Sequence, residues 1–358
     1  MADVRSGERI AVVGAGAVGA HCGGWMATDG HDVTFFDPWP QHVDAMTSAG
    51  LQLAGMTAAE ERTVQVRARH LTDLQSEAGG PGFNIVFLAT KAYDTRWAAH
   101  MIAPYLAPGG FVVSLQNAIN EATIAEAVGW GRVLGCIASK ISVELHAPGQ
   151  VKRLVKLGGS SHLVFRVGEC HGRITERAER VADLMRTVDS AETTSNLWGE
   201  RWTKLCVNCM RNPLAAATGR GGNANDRDPE TRKLAIRIAG EAATVGRAHG
   251  FTLEKLYGMP ADDVIAAHDG DGAAMARCED TILAATATRA DEQRPSMGQD
   301  IAKGRRTEID ALNGFVAEKA AEVGLAAPLN AAIADVVRQV ESGRLAPSPD
   351  VVTHLTAS

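Results

Sequence analysis

The chain has 358 residues, 45% of them hydrophobic and 22% charged, which suits a globular protein long enough for two domains. Its net charge of −6 argues against a surface for nucleic acid or anionic membranes. No segment approaches the ~20 continuous apolar residues of a membrane-spanning helix, and residues 1–9 lack a signal-peptide core. We therefore expect a cytoplasmic protein without nucleic-acid or membrane partners.

The first 29 residues predict a dinucleotide site. An apolar strand (residues 9–13) is followed by a GxGxxG turn and an amphipathic helix. In this context the first glycine permits a tight turn, the second lets the backbone approach a pyrophosphate, and the third lets the helix pack on the strand. An ordinary glycine-rich turn is the alternative. The predicted cofactor-binding residues of the loop are Gly14, Ala15, Gly16, Ala17, Val18 and Gly19.

Asp37 ends the second predicted strand (residues 32–37). A carboxylate at this point accepts hydrogen bonds from the adenosine ribose and repels a 2′-phosphate, and residues 38–42 contain no Arg or Lys. The pattern favours NAD, with NADP still possible. The alternative is that Asp37 merely caps the turn before Pro38.

Strands and helices alternate through the rest of the first half. Apolar runs at 84–89, 111–115 and 132–142 predict buried strands, and 151–157 and 162–167 are candidates for antiparallel edge strands. This alternation predicts a doubly wound α/β sheet of the Rossmann type. Lys91 and Asn117 follow two of its strands, and ligands bind beyond the carboxyl ends of such strands.

The second half is Ala-rich and helical. We expect a Rossmann domain over residues 1–192, an all-helical domain over 193–345 and a loose tail over 346–358. Residues 258–292 resemble an enlarged helical hairpin. Helices are predicted over 198–218, 229–249, 261–268, 273–290, 296–303, 306–323 and 328–342.

Three polar residues interrupt the apolar helix predicted for 198–218. Lys204, Asn208 and Asn212 are spaced four residues apart and therefore fall within one narrow stripe of the helix. Burying them without partners costs several kcal/mol, so we expect a polar ligand opposite this polar stripe.

The six cysteines are scattered, which suits reduced thiols better than disulfides. Cys206 and Cys209 match CxxC, but they lie inside the predicted helix, and we interpret them as core residues. The sequence has no His/Cys cluster with the spacing of metal ligands, so we predict no metal.

Five segments taken together resemble the ketopantoate reductase (2-dehydropantoate 2-reductase) family: GAGAVG, TKAYDT, LQNAIN, WTKLCVNCMRNPLAAATG and PSMGQDIAKGRRTEIDALNG. The resemblance implies a Rossmann domain followed by a helical domain, with the active site between them. It also implies reversible hydride transfer between NAD(P)H and the keto carbon of a small 2-oxo acid.

The resemblance also implies residue roles. Lys204 falls on the family's catalytic lysine and Glu308 on its glutamate. Asn208, Asn212 and Ser296 fall on residues that hold the substrate. Asn117 falls between nicotinamide and substrate, and Lys91 on the side of the cofactor.

The chain also departs from the family pattern. Ala118 replaces the usual glycine after LQN, Asp37 stands where a basic residue is usual, and the 258–292 segment is long. Arg289 and Arg294 flank Ser296; they are candidates to contact a substrate anion, or are surface residues. The differences suggest a relative that acts on another 2-oxo or 2-hydroxy acid.

Several alternatives stay open on sequence alone. The chain could be an NAD-dependent catabolic dehydrogenase of a different hydroxy acid or alcohol, or a non-catalytic dinucleotide sensor. Opine and hydroxyacyl-CoA dehydrogenases expect a catalytic His with an acidic partner, which no motif here nominates. A homodimer is possible through Leu312, Phe315 and Val316, although the same pattern serves an internal core.

Overall fold

The computed structural model describes residues 7–287, 289, 291 and 293–356. The chain divides into two compact units, Met1–Leu197 and Trp198–Ser358. The predicted boundary lay five residues earlier, at 192/193. A short strand at Ala191–Thr194 completes the sheet of the first unit, and its sequence (AETT) gave no apolar run by which to recognise it.

The first unit is built on a mostly parallel eight-stranded sheet. Its strands are β1 (Arg9–Val13), β2 (Asp32–Asp37), β5 (Arg67–His70), β6 (Phe83–Leu88), β7 (Leu106–Ser114), β8 (Val133–Ala138), β11 (Phe165–Glu169) and β12 (Ala191–Thr194). Their order is β12-β11-β8-β7-β6-β1-β2-β5, and within it only the β11–β8 pair is antiparallel. The predicted doubly wound α/β fold is confirmed.

A separate four-stranded sheet contains β3 (Leu51–Ala54), β4 (Arg62–Val64), β9 (Val143–Ala147) and β10 (Gln150–Arg153), in the order β4-β3-β10-β9. The segment 151–157, expected as an edge strand of the main sheet, therefore contributes β10 to this small sheet. The segment 162–167 does join the main sheet antiparallel to β8, but β12 lies outside it. Pairing partners distant in sequence cannot be read from local periodicity.

Five helices cover the main sheet: α1 (Ala17–Thr28), α2 (Pro40–Ser48), α3 (Thr95–Ile102), α4 (Glu121–Val128) and α5 (Glu176–Arg186). Alternate residues of β1 enter different apolar clusters, Ile10 and Val12 one and Ala11 and Val13 the other. Both faces of β1 are thus covered, which explains its continuous apolar run.

The second unit is helical, with a single β-bridge, between Leu256 and Met259, in its described part. Its helices are α6 (Leu197–Thr218), α7 (Gly222–Arg227), α8 (Pro229–Ala248), α9 (Ala261–His268), α10 (Gly272–Thr286), α11 (Ser296–Ala302), α12 (Asn313–Glu322), α13 (Pro328–Glu341) and α14 (Asp350–Thr356). Among the described helices, none is long and apolar enough to cross a membrane.

The expectation of a loose tail from residue 346 is wrong for most of that segment. The Ser348 N–H donates to the Ala217 carbonyl (2.9 Å), and Val351 and Val352 on α14 are buried. The apolar Val–Val pair anchors a stretch whose prolines and serines suggested a loop. Residues 357 and 358 lie outside the described part of the chain.

Candidate active site

The three glycines of the GxGxxG loop differ in their surroundings. Gly14 has φ +91°, and a Cβ added there would lie 2.8 Å from the Thr90 nitrogen. A Cβ on Gly19 would lie 2.1 Å from the Gly14 oxygen, whereas one on Gly16 would meet nothing within 4 Å. Gly14 and Gly19 are thus required by the fold, and Gly16 leaves open space where a ligand can approach the backbone.

Helix α1 begins directly after this open space. Its N-cap is Gly16, with no side-chain cap, so no side chain of the helix start competes for the N–H groups at Ala17 and Val18. Uncapped N–H groups and the positive end of the helix dipole attract anions. The loop therefore fits the pyrophosphate of a dinucleotide.

Ala15 is held by hydrogen bonds at both its N–H and its carbonyl group. Its N–H donates to Asp37 Oδ2 (2.8 Å), and its carbonyl lies 2.8 Å from His42 Nε2. The Gly149 N–H donates to His42 Nδ1 (2.8 Å), so Nδ1 is the acceptor and the neutral ring carries its proton on Nε2. Asp37 and His42 therefore fix the glycine loop through bonds that the sequence did not reveal.

Asp37 also accepts a hydrogen bond from the Trp39 N–H at Oδ1 (2.9 Å), as a turn-capping residue does. It is only 7% exposed, and burial raises the pKa of its carboxyl, against the lowering effect of the Trp39 and Ala15 N–H groups. Asp37 therefore caps this turn, as the alternative interpretation expected, in addition to holding Ala15. Each carboxylate oxygen keeps one further lone-pair direction for a ribose hydroxyl.

Lys91 and Asn117 lie at the same sheet edge as the glycine loop, because β6 pairs with β1, β7 pairs with β6, and all three strands are parallel. The Asn117 carbonyl accepts a bond from Asn120 Nδ2 (2.7 Å), which fixes this loop. Ala118 has φ +65°, the left-handed conformation that glycine prefers. Alanine thus keeps a glycine-like backbone conformation at this position.

The polar stripe lies on one continuous helix, α6, as predicted. Asn208 and Asn212 are 8% and 7% exposed, and Lys204 is partly buried. Asn208 Nδ2 is buried and has no acceptor among the residues described. Leaving such an amide group unpaired is unfavourable by about 1–3 kcal/mol, so this donor is available for a ligand.

The pKa of the Lys204 amine lies below its usual value. Burial, first, and then the charge of Arg201 lower the pKa of Lys204 to about 8. Arg201 is itself buried at 2% exposure and lies one turn earlier on α6. No motif pointed to Arg201, although its spacing of three residues from Lys204 on a helix was a usable signal.

Ser296 and Glu308 are the other two predicted site residues of the second unit. Ser296 is the first residue of α11, which passes close to α6: a Cβ on Gly298 would lie 3.1 Å from that of Ala215. Glu308 is 6% exposed and precedes a short 3-10 turn, Ile309–Ala311, whose last N–H donates to the Glu308 carbonyl (3.0 Å).

Cys206 and Cys209 are fully buried, and burial raises the pKa of both thiols, which confirms their interpretation as core residues. No group of three or more potential metal ligands occurs in the described part of the chain. Leu312 and Val316 are buried, and Phe315 packs on Trp202 (6.0 Å between ring centroids), so these three residues belong to the core of their own unit.

Comparison with known proteins adds independent findings. The sequence profile described as "Ketopantoate reductase PanE/ApbA" matches residues 10–162, and its C-terminal counterpart matches residues 196–341. A 2-dehydropantoate 2-reductase of Archaeoglobus fulgidus is 29% identical over 338 residues, covering 94% of this chain and 99% of that protein.

Solved structures agree with those matches. A PanE/ApbA family ketopantoate reductase from Ralstonia eutropha JMP134 aligns with a TM-score of 0.74 at 28% identity, covering 94% of this chain and 99% of that one. A D-mandelate dehydrogenase solved with NADH and anilino(oxo)acetate aligns with a TM-score of 0.77 at 22% identity, covering 94% and 98%, which is a likeness of fold.

Proposed function

This chain belongs to the ketopantoate reductase family of oxidoreductases, and from that premise we propose that it reduces the keto carbon of a small 2-oxo acid, reversibly, with a nicotinamide cofactor. The substrate class rests on relatives such as the 2-dehydropantoate 2-reductase of A. fulgidus. Family membership favours this oxidoreductase function over the non-catalytic dinucleotide sensor.

Lys204 is the proposed general acid of the reduction. Arrival of a hydride at a ketone leaves an alkoxide, which must be protonated or stabilised. The pKa of Lys204, lowered to about 8, leaves the amine mostly protonated at neutral pH yet able to release its proton. In the direction of oxidation the neutral amine accepts the hydroxyl proton.

The observation that carries the proposal is the unpaired Nδ2 of Asn208, one helical turn from Lys204. We propose that this amide, together with Asn212 and Ser296, holds an oxygen of the substrate, and that Glu308 acts with Lys204. Neutral amides orient a carboxylate or carbonyl without adding charge that would shift the lysine further.

The nicotinamide cofactor supplies the hydride. We propose that the Gly14–Gly19 loop holds its pyrophosphate, that Lys91 and Asn117 contact it, and that Asp37 favours NADH over NADPH. A carboxylate beside the ribose disfavours a 2′-phosphate, and the burial of Asp37 within the loop supports a fixed position for that charge.

A turnover screen tests the proposal: NADH and NADPH, each with 2-dehydropantoate and a panel of other 2-oxo acids. We expect faster turnover with NADH, and a smaller ratio of the NADH to the NADPH rate in Asp37→Ala. Asp32→Ala, an exposed acid on the same strand paired with Arg67, is the matched control and should leave the ratio unchanged.

Two outcomes would contradict different parts. If no 2-oxo acid is reduced with either cofactor, the proposed function is wrong. If the wild-type protein strongly prefers NADPH, only the role of Asp37 is wrong. The homodimer and the cytoplasmic location stay predictions from the sequence; light scattering during gel filtration measures the first.

A further inference from the structure

Two arginines of the second unit converge on one carboxylate. Arg211 Nη1 donates to Asp226 Oδ2 (2.7 Å), and Arg289 Nη2 donates to the same oxygen (2.5 Å). The arginine side chains are 13% and 17% exposed, and that of Asp226 is 8% exposed. The nearby Asp291 is paired with Arg227 (3.0 Å). Two cations thus share one anion, and the Arg211–Arg289 cluster keeps a net positive charge.

Each of these arginines also has an unused nitrogen. Arg211 Nη2 and Arg289 Nη1 have no acceptor among the residues that the structure describes. Both lie near one point: a Cβ added to Gly222 would be 2.6 Å from Arg211 Nη2 and 3.6 Å from Arg289 Nη1. Arg211 Nη2 therefore occupies the position that a side chain at 222 would take, and Arg289 Nη1 lies beside it.

Tyr257 holds the two guanidiniums in place at a backbone conformation unusual for a tyrosine. Its ring centroid lies 4.8 Å from Arg211 Cζ and 5.5 Å from Arg289 Cζ, within cation–π range. Tyr257 (φ +56°) and Gly258 (φ +93°) occupy the centre of a turn closed by Leu256 and Met259. Left-handed backbone at a bulky residue is unfavourable and persists where the surroundings impose it.

The cluster borders the proposed substrate site. Arg211 is seven residues after Lys204 on α6, so it falls within about 20° of the same helix face and about 10 Å along the axis. The Gly222 N–H donates to the Gln293 carbonyl (3.2 Å), three residues before Ser296. Of the two arginines that flank Ser296 in the sequence, Arg289 joins this cluster, whereas Arg294 is exposed.

We propose that the Arg211–Arg289 cluster binds a second carboxylate, at the end of the substrate remote from the reacting carbonyl, so that the preferred substrates are 2-oxo diacids. The inference rests on the proposed function. Paired N–H donors at a site with net positive charge are suited to a carboxylate. A cavity of about 10 Å³, the size of about one water molecule, lies beside these donors and is lined in part by Arg211, Gly222 and Asp226.

The kinetic test compares 2-oxoglutarate, 2-oxoadipate and 2-oxopimelate with the monoacids 2-oxopentanoate, 2-oxohexanoate and 2-oxoheptanoate. We expect at least one diacid to exceed its matched monoacid in kcat/KM. In Arg211→Gln and Arg289→Gln this diacid-to-monoacid ratio should fall by about tenfold to a hundredfold, the range for loss of a charge-assisted bond. Arg277→Gln on α10, whose arginine pairs with Asp263 near the surface, is the control and should keep the ratio.

Gly222→Ala is a second variant that retains both charges. Its methyl group would displace the end of Arg211, and the φ of Gly222 lies outside the left-handed region, so the fold tolerates alanine there. We expect the ratio to fall in this variant too, with a thermal melting curve like that of the wild type.

A binding arm separates this inference from the proposed function. Isothermal titration with pimelate and heptanoate, neither of which can be reduced, should show tighter binding of pimelate, and Arg289→Gln should abolish the difference. Equal binding of the two acids together with equal turnover of monoacids and diacids would overturn the inference while the proposed function stands. Absence of all turnover, with pimelate still bound through Arg289, would overturn the proposed function and leave the anion site.

Discussion

The two units of this protein prepare for a ligand in different ways. In the first unit Asp37 and His42 are already hydrogen-bonded to Ala15, and the glycine loop offers a ligand backbone N–H groups, with the remaining lone pairs of Asp37 beside them. In the second unit the polar stripe keeps one unpaired donor, since Asn208 Nδ2 has no acceptor in the described structure. Backbone N–H groups suit what all dinucleotides share, whereas we propose that the unpaired amide of Asn208 selects the substrate.

If the second unit carries the chemistry, removing its amine should have the largest effect. Lys204→Ala should lower kcat for 2-oxo acid reduction by about 10³-fold or more, since general acid catalysis contributes 10²–10⁴ and the charge of the ammonium is lost as well. Its Kd for NADH, measured by fluorescence titration, should change little. Lys233→Ala, an exposed lysine of α8 paired with Glu230, serves as control. Retention of wild-type kcat in Lys204→Ala would show that the chemistry lies elsewhere.

The first unit should respond to substitution through its backbone. Gly14→Ala should lower the free energy of unfolding of this unit by about 3 kcal/mol, because the alanine is strained at φ +91° and contacts Thr90. Gly16→Ala should leave stability within about 0.5 kcal/mol of wild type, yet weaken NADH binding about tenfold, since the methyl group enters the open space. Urea unfolding measures the free energy of unfolding, and NADH titration measures the binding. If both substitutions changed stability and NADH affinity equally, Gly14 would not be a glycine required by the fold and Gly16 would not be one required by the ligand.

Not every buried polar group of the first unit has a hydrogen-bond partner. His21 on α1 is 2% exposed, and neither ring nitrogen has a hydrogen-bond partner in the described structure. Burial, and then the charge of Arg153, lower the pKa of His21 to about 4. Between its unfolded pKa of 6.5 and this value the unfolded chain binds more protons, so stability falls as pH falls.

We expect this histidine to remove about 2 kcal/mol of stability from the first unit between about pH 7 and about pH 5. In His21→Phe, which keeps an aromatic ring but cannot be protonated, this part of the pH dependence should disappear from urea unfolding curves. His100→Gln, which replaces an exposed histidine of α3, should leave it in place. If stability depended on pH in His21→Phe as it does in the wild type, another group would be the one that titrates.

The last expected effect is the pH dependence of the second unit's chemistry. Because the pKa of Lys204 is about 8, kcat for reduction should fall as pH rises through that value, up to about tenfold per pH unit, while the oxidation rate rises. Residual activity in Lys204→Arg should lack this decline, because a guanidinium stays protonated. A flat wild-type profile from about pH 7 to about pH 10 would argue against an amine as the proton donor.

What the sequence predicted well was encoded locally. The order of strand, glycine turn and helix at residues 9–28, and the spacing of Lys204, Asn208 and Asn212 on α6, are both confirmed as structure. Each depends on neighbours within a few turns of chain, so periodicity and turn chemistry were enough.

What the sequence did not reveal depends on contacts between distant segments. His42 reaches Gly149, 107 residues away, and Arg211 meets Arg289 through Asp226. The parallel pairing of β10 with β3 and the docking of α14 are of the same kind. No local pattern specifies such pairs, and for Asp37 the second bond, to Ala15, became visible only once β1 and β2 were placed side by side.

The hydrogen bond from Gly149 to His42 links the small four-stranded sheet to the glycine loop. Gly149 lies in the turn between β9 and β10, and only the imidazole ring separates its amide from the carbonyl of Ala15. A dinucleotide that rigidifies the glycine loop should therefore slow deuterium uptake at this one distant amide. Mass spectrometry of the peptide around Gly149 would then report cofactor occupancy without any label on the cofactor and without catalytic turnover.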